Sequence, residues 1–164
     1  MKARFLCCLY ITMMLFALTA CQNENADDTG VHITNPTCEI IEDSEPFCEA
    51  PMKTGIYISK SDWDRAVRKT DVATVLDKKD VYDEKFFEEN ALVYIADTSS
   101  GNSQCEYEGF EMEEVDGKTV LTIKLSYSTD MLLNKLHAYH VFFTMDKSGA
   151  DEIDEVKLEH SERK

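Results

Sequence analysis

Two histidines, His137 and His140, have a spacing that first suggests metal chemistry. At positions i and i+3 of a helix, two imidazoles share a face and can bind one metal ion. The surrounding run AYHVFFTM instead predicts a β-strand, in which the two rings point to opposite faces. Because no H-E-x-x-H sequence occurs, a metal-dependent or hydrolytic enzyme using His137, His140 and nearby carboxylates is only the alternative hypothesis.

Two serines are the next candidates for chemistry. Ser99 and Ser100 lie in TSSGNSQ, residues 98–104, whose composition predicts a loop. No G-x-S-x-G sequence frames them, so nucleophilic catalysis is not predicted. The chain also lacks a phosphate-binding loop and a dinucleotide fingerprint, and we predict no catalytic residue, no cofactor and no metal. Ser99, Ser100, Gly101 and Asn102 form instead a candidate partner-binding loop.

A short apolar run near the start of the chain predicts an export signal. Lys2 and Arg4 frame the start of a 14-residue, nearly unbroken apolar run, Phe5 to Leu18, whereas a membrane-spanning helix needs about 20 such residues. The sequence Leu18-Thr19-Ala20-Cys21 ends this run and resembles the bacterial lipobox. The resemblance implies that residues 1–20 are a signal peptide and that Cys21 carries the lipid. It also implies an exported protein anchored to a bacterial cell membrane, with its domain on the extracytoplasmic side.

The charge of the chain limits its partners. Removal of residues 1–20 takes away the two positive charges of Lys2 and Arg4 and changes the formal charge from −15 to −17. Such a surface repels phosphates, so nucleic acid is not a predicted partner, and the membrane is reached only through the lipid on Cys21. Residues 21–53 are predicted to be a lipidated acidic tether with an irregular Cys-containing segment, and residues 54–164 a compact domain.

Three cysteines remain after the lipidated one: Cys38, Cys48 and Cys105. Export permits disulfides, and an odd number leaves one cysteine over whichever pair forms. Cys38 with Cys48 is the local solution and the favoured candidate disulfide. A link from either to Cys105 would instead fasten the tether to the core, and the sequence leaves that alternative open.

The clearest structural signal is a hairpin around Asp116-Gly117. A two-residue Asp-Gly connection favours a type I′ turn, whose twist matches that of paired strands. Counting outward from the turn pairs Val115 with Lys118, Met112 with Leu121 and Phe110 with Ile123. The last two pairs are apolar and share one face, so the predicted register is self-consistent.

The remaining elements are short. Ser61 is the predicted N-cap of a helix carrying Trp63, and Trp63 is predicted to be a core residue. The run ALVYIA is apolar on both faces, which is typical of a central strand. AYHVFFTM and EIDEVKLE are further strands. We therefore predict a small single α+β domain, with a mainly antiparallel sheet of about five or six strands and one to three short helices.

Part of this domain resembles a known family. Tyr82-Asp83 with Phe86-Phe87, the strand after Asn90, Ser99-Ser100-Gly101, the hairpin 107–127 and the strand 138–146 are similar to the PrcB C-terminal domain family, in versions carried on bacterial lipoproteins. The resemblance covers roughly residues 55–147. It implies a non-catalytic module that binds and stabilises a surface protease.

Two kinds of function follow from these observations. The favoured hypothesis is a membrane-anchored module that binds or stabilises an unidentified protein partner, through edge strands or the loop at residues 98–106. The alternatives are the envelope enzyme using His137 and His140, and a purely structural envelope lipoprotein.

Overall fold

The structure, a computed structural model, describes residues 33–43, 54–100, 102–130 and 136–163. These residues form seven β-strands, three α-helices and one 3-10 helix. In chain order the elements are β1 (Thr37–Asp43), β2 (Gly55–Tyr57), α1 (Lys60–Val67), α2 (Ala73–Asp77), α3 (Phe86–Glu89), β3 (Asn90–Ser100), β4 (Asn102–Val115), β5 (Lys118–Asp130), β6 (Leu136–Asp146), the 3-10 helix (Lys147–Glu152) and β7 (Glu155–Arg163).

The strands form two sheets rather than the single sheet predicted. Sheet A has four strands in the order β1-β6-β3-β2, and sheet B has three in the order β4-β5-β7. All pairs are antiparallel except β5 with β7, which is parallel. The α+β class and the mainly antiparallel pairing are confirmed. The prediction of one sheet was wrong because strand patterns show which residues pair locally but not where a sheet divides.

One long hairpin connects the two sheets. The strands β4 and β5 leave the Asp116-Gly117 turn as a pair, and their continuations β3 and β6 pair again in sheet A. The register changes between the halves, because Asn102 faces Asp130 whereas Ser100 faces Leu136.

Sheet A is covered on both faces. One side of β3 and β6 packs against sheet B in a core that includes Val93, Ile95, Val141 and Phe143. The other side packs under the helices, in a cluster centred on Trp63. This arrangement confirms ALVYIA as a central strand, and it confirms Trp63, which has no exposed surface, as core. The layers are thus helices, sheet A and sheet B.

The hairpin register is confirmed residue by residue. Val115 faces Lys118, Met112 faces Leu121 and Phe110 faces Ile123. Asp116 and Gly117 both have positive φ, 54° and 74°, as a type I′ turn requires. A register shift lies between Tyr107 and Gly109, where the strand carries one extra residue.

Two local predictions were wrong. The range 21–53, predicted to be a tether with an irregular segment, is not irregular throughout, because Thr37–Asp43 forms β1 and pairs with β6 along its whole length. The first helix begins earlier than expected, because its N-cap is Ser59 rather than Ser61. The Ser59 hydroxyl accepts the backbone N–H of Asp62 at 3.2 Å and donates to the Asp62 carboxylate at 2.7 Å. That reciprocal pair satisfies an otherwise unbonded donor at the start of the helix.

Candidate functional site

The residues predicted as a partner-binding loop lie on strands. Ser99 and Ser100 end β3, Asn102 begins β4, and Gly101 between them is outside the described residues. The loop prediction was therefore wrong, because the pairing of the long hairpin overrides the polar composition of TSSGNSQ. Partner binding by this segment stays a prediction, now as a property of a strand edge.

The two histidines of the enzyme hypothesis lie on β6, as the strand prediction required. His140 is completely buried, and its Nδ1 lies 2.8 Å from the hydroxyl oxygen of Tyr94. Burial lowers the pKa of His140 below its usual value, and the nearby carboxylate of Asp43 partly opposes that shift. A neutral imidazole that accepts the Tyr94 hydroxyl fits this environment.

His137 lies three residues before His140 on β6. Within the described part of the chain, no group of three or more His, Cys, Asp or Glu side chains is placed to hold a metal ion. The structure thus assembles no metal site around His140 among these residues.

The candidate disulfide is only half described. Cys48 and the lipidation residue Cys21 lie outside the described residues. Cys38 lies on β1 and Cys105 on β4, and the structure carries both as thiols. Both side chains are half-buried against the core between the two sheets.

A polar cluster that the sequence did not predict lies where the two sheets meet. The Tyr127 hydroxyl donates to the Asp97 carboxylate at 2.7 Å, and Nε2 of His160 lies 3.6 Å from the same oxygen. The Tyr127 and His160 rings stack with centroids 5.1 Å apart. Burial raises the pKa of Tyr127, and the Asp97 carboxylate raises it further. The tyrosine is therefore a fixed hydrogen-bond donor at every ordinary pH.

This cluster ties sheet A to sheet B. Asp97 belongs to β3, Tyr127 to β5 and His160 to β7. The three residues are separated by 30 or more positions in the chain, so no local sequence motif could have revealed them. Only the packing of the two sheets brings them together.

The same contact lies beside two strand edges that have no neighbour. Within the described ranges β7 pairs with β5 alone, and β3 has β2 as its second neighbour only at Leu92–Tyr94. The far edge of β7 and the edge of β3 over residues 95–100 are therefore open among these residues. Because Asp97 contacts His160, the two open edges are close together. We call them the open margin.

The side chains of the open margin are suited to contact. On β7, Val156 and Leu158 pack against the core but stay partly exposed, and Glu155, Lys157 and Glu159 face solvent. Lys157 lies 3.5 Å from Glu155, and Glu159 lies 3.7 Å from Lys124 of β5. Such charges on an edge strand discourage pairing with arbitrary strands, and they favour a strand of complementary charge.

Comparison of the chain with models of known protein families, with curated proteins and with solved structures gave no match. Among the described residues, no helix is both long enough and apolar enough to cross a membrane. The export signal, the lipid anchor and the resemblance to the PrcB C-terminal domain family remain predictions from the sequence.

Proposed function

We propose that the protein is a lipid-anchored, extracytoplasmic module that binds a partner protein. In this binding mode, an extended segment of the partner pairs as an additional strand with the open margin. The observation that carries this proposal is the nine-residue strand β7, which pairs on one side only among the described residues. An extended segment placed there gains main-chain hydrogen bonds, and pockets for alternate side chains give specificity.

The half-buried apolar residues of β7 add to the proposal. Val156 and Leu158 belong to the edge of the core and keep part of their surface in water. Covering them is favourable by about 25 cal/mol for each Å² of apolar surface removed from water. A partner strand would therefore extend the core as well as the sheet.

Charge defines the kind of partner. The formal charge of −17 after removal of the signal peptide, with Glu155 and Glu159 on the open margin, favours a segment that carries Lys or Arg. The resemblance to the PrcB C-terminal domain family supports a surface protease as the protein that contributes the segment.

Site-specific photocrosslinking in the intact envelope tests this proposal. A photoreactive amino acid at Glu159 of the full lipidated chain should yield a discrete adduct with another protein. The matched control carries the same amino acid at Glu88, an exposed glutamate on α3 at the helical side of the domain. It should yield no such adduct.

Charge reversal gives a second, independent result. Glu159→Lys should weaken the adduct formed from a neighbouring position such as Lys157, whereas Glu88→Lys should leave it unchanged. Equal crosslinking from β7 and α3, or none from β7, would contradict strand addition at the open margin.

A further inference from the structure

Two cysteines that are far apart in the chain lie on facing edges of the two sheets. Cys38 is on β1, the outer strand of sheet A, and Cys105 is on β4, the outer strand of sheet B. The strands β1 and β4 contact each other. The two sheets thus approach at the side of the domain where both cysteines lie.

Both side chains point into the same layer. Cys38 and Cys105 pack against the core between the sheets, and each is half-buried there. Cys38 faces Phe143 in the β1–β6 register, and the Phe143 ring lies 6.2 Å from the ring of Tyr107. Tyr107 is two residues beyond Cys105, on the same face of β4. A short path through packed side chains therefore joins the two thiols.

The electrostatics agree with this placement. Burial and, as a smaller cause, negative charge on Cys105 together raise the pKa of the Cys38 thiol to about 12.

We infer that Cys38 and Cys105 form a disulfide that joins sheet A to sheet B when the protein meets a disulfide oxidant. The sequence favoured Cys38 with Cys48, because closeness along the chain was the only available guide. The structure offers a partner that lies across the core instead.

The reaction is a pair of thiol–disulfide exchanges. The Cys105 thiolate attacks one sulfur of the oxidant disulfide and expels a thiolate, which leaves a mixed disulfide. Cys38 then attacks the Cys105 sulfur and expels the second thiolate. The two cysteines lose two protons and two electrons, and the oxidant disulfide becomes two thiols.

The bond would have a mechanical role. The strand β1 is the first strand among the described residues, and among these residues it is hydrogen-bonded to β6 alone. Force on the tether would peel β1 from the edge of sheet A. A covalent link to β4 transfers that force to sheet B and keeps β1 in place.

Peptide mapping under non-reducing conditions tests the inference on the full chain. The protein is treated with oxidised glutathione, its remaining thiols are alkylated, and it is cleaved after glutamate. Cleavage after the glutamates at 24, 39, 49, 89 and 106 places the three cysteines on separate peptides. Cys38 lies on peptide 25–39, Cys48 on a peptide that ends at residue 49, and Cys105 on peptide 90–106. We expect 25–39 joined to 90–106 with the loss of two hydrogens, and Cys48 alkylated. Alkylation of both Cys38 and Cys105, or a Cys38–Cys48 link, would overturn the inference.

Variants supply a readout of the bond itself. Cys38→Ser and Cys105→Ser should each lower Tm by about 10 °C in oxidised protein, because a long loop is no longer closed. The double variant should lower it no further, and reduced samples should differ little. Cys48→Ser is the matched control and should leave Tm unchanged. If the two single variants lower Tm additively in the double variant, and if these decreases persist in reductant, the effect comes from packing alone. That result would contradict the disulfide.

The pH dependence gives a third check. Because Cys38 ionises only at high pH, the second exchange limits the rate near neutrality. Closure of the bond should accelerate by up to about tenfold per pH unit between about pH 7 and 9. A rate independent of pH would contradict the role assigned to Cys38.

Discussion

At the scale of single residues, one polar contact lies within sheet A and another joins sheet A to sheet B. His140 is completely buried against Tyr94, and Tyr127 links Asp97 to the stacked ring of His160. The hydroxyls of Tyr94 and Tyr127 belong to buried side chains, where losing a hydrogen-bond partner is costly. These residues therefore give the sharpest tests of the core.

We expect His140 to make the fold acid-sensitive. Its folded pKa lies below the unfolded value of about 6.5, so the unfolded chain binds the proton more readily. The stability from the neutral imidazole is present above about pH 6.5 and is lost as the pH falls through the folded pKa. Urea unfolding from pH 7.5 to 5 should show a steeper loss of stability in the parent protein than in His140→Gln. His160→Gln, at a partly exposed histidine, is the control and should retain the steep loss; equal slopes in parent and His140→Gln would contradict this assignment.

We expect Tyr127→Phe to weaken the contact between the sheets. The substitution removes the hydroxyl that donates to Asp97 at 2.7 Å and keeps the ring. A hydrogen bond to a charged acceptor contributes about 1.5–3 kcal/mol to the free energy of unfolding. Urea unfolding of Tyr127→Phe should show a loss of this size. Tyr107→Phe removes a hydroxyl from the same core and should lower the free energy of unfolding by less. Equal losses in the two variants would mean that the hydrogen bond to Asp97 adds no stability of its own.

At the scale of elements, capping and turn chemistry explain the positions of the first helix and of the central hairpin. Ser59 begins α1, and Asp116-Gly117 closes the β4–β5 hairpin with two positive φ angles. Both effects act over four residues or fewer, so they follow directly from local sequence. The helix start differs from the prediction by two residues because Ser59 and Ser61 are both acceptable caps by type.

We expect the stability of α1 to distinguish these two serines. Ser59→Ala removes the bond to the Asp62 N–H and should cost about 1 kcal/mol of unfolding free energy. Ser61→Ala should cost little, because Ser61 is exposed within the first turn. Thermal or urea unfolding of the two variants gives the comparison. A larger loss in Ser61→Ala would place the cap where the sequence pattern placed it.

At the scale of the whole molecule, the predicted lipid and the two-sheet domain are proposed to act together. The strand β1, which carries Cys38, contacts β4, which carries Cys105, and the open margin belongs to β3 and β7. Closure of the core on the β1–β4 side leaves the other side available to a partner. The proposed disulfide and the proposed binding surface thus use different edges of the sheets.

We expect Cys21→Ser to release the protein from the membrane. Two or more acyl chains hold a lipoprotein stably, because each buried methylene contributes about 0.8 kcal/mol. Fractionation should find the parent protein with membranes and the variant in the soluble fraction. Cys48→Ser, which leaves the lipobox intact, should remain with the membrane fraction. Full membrane retention of Cys21→Ser would contradict the lipid anchor.

The sequence by itself determined the local features. The Asp116-Gly117 turn, its register, the central position of ALVYIA and the burial of Trp63 follow from short-range sterics and from which side chains avoid water. The α+β class follows from the succession of these elements. None of these conclusions needs knowledge of distant contacts.

Only the tertiary structure decided the division into two sheets, the strand nature of residues 98–100 and 102–106, the Asp97–Tyr127–His160 cluster and the contact of β1 with β4, the strands that carry Cys38 and Cys105. Each depends on residues far apart in the chain, whose approach is set by how the long hairpin folds over its core. Residues 98–100 and 102–104 are polar by composition, yet they pair within the two sheets because neighbouring strands supply the partners. Local chemistry determines the turn and the helix cap. The burial of apolar surface between the two sheets determines how the sheets pack together.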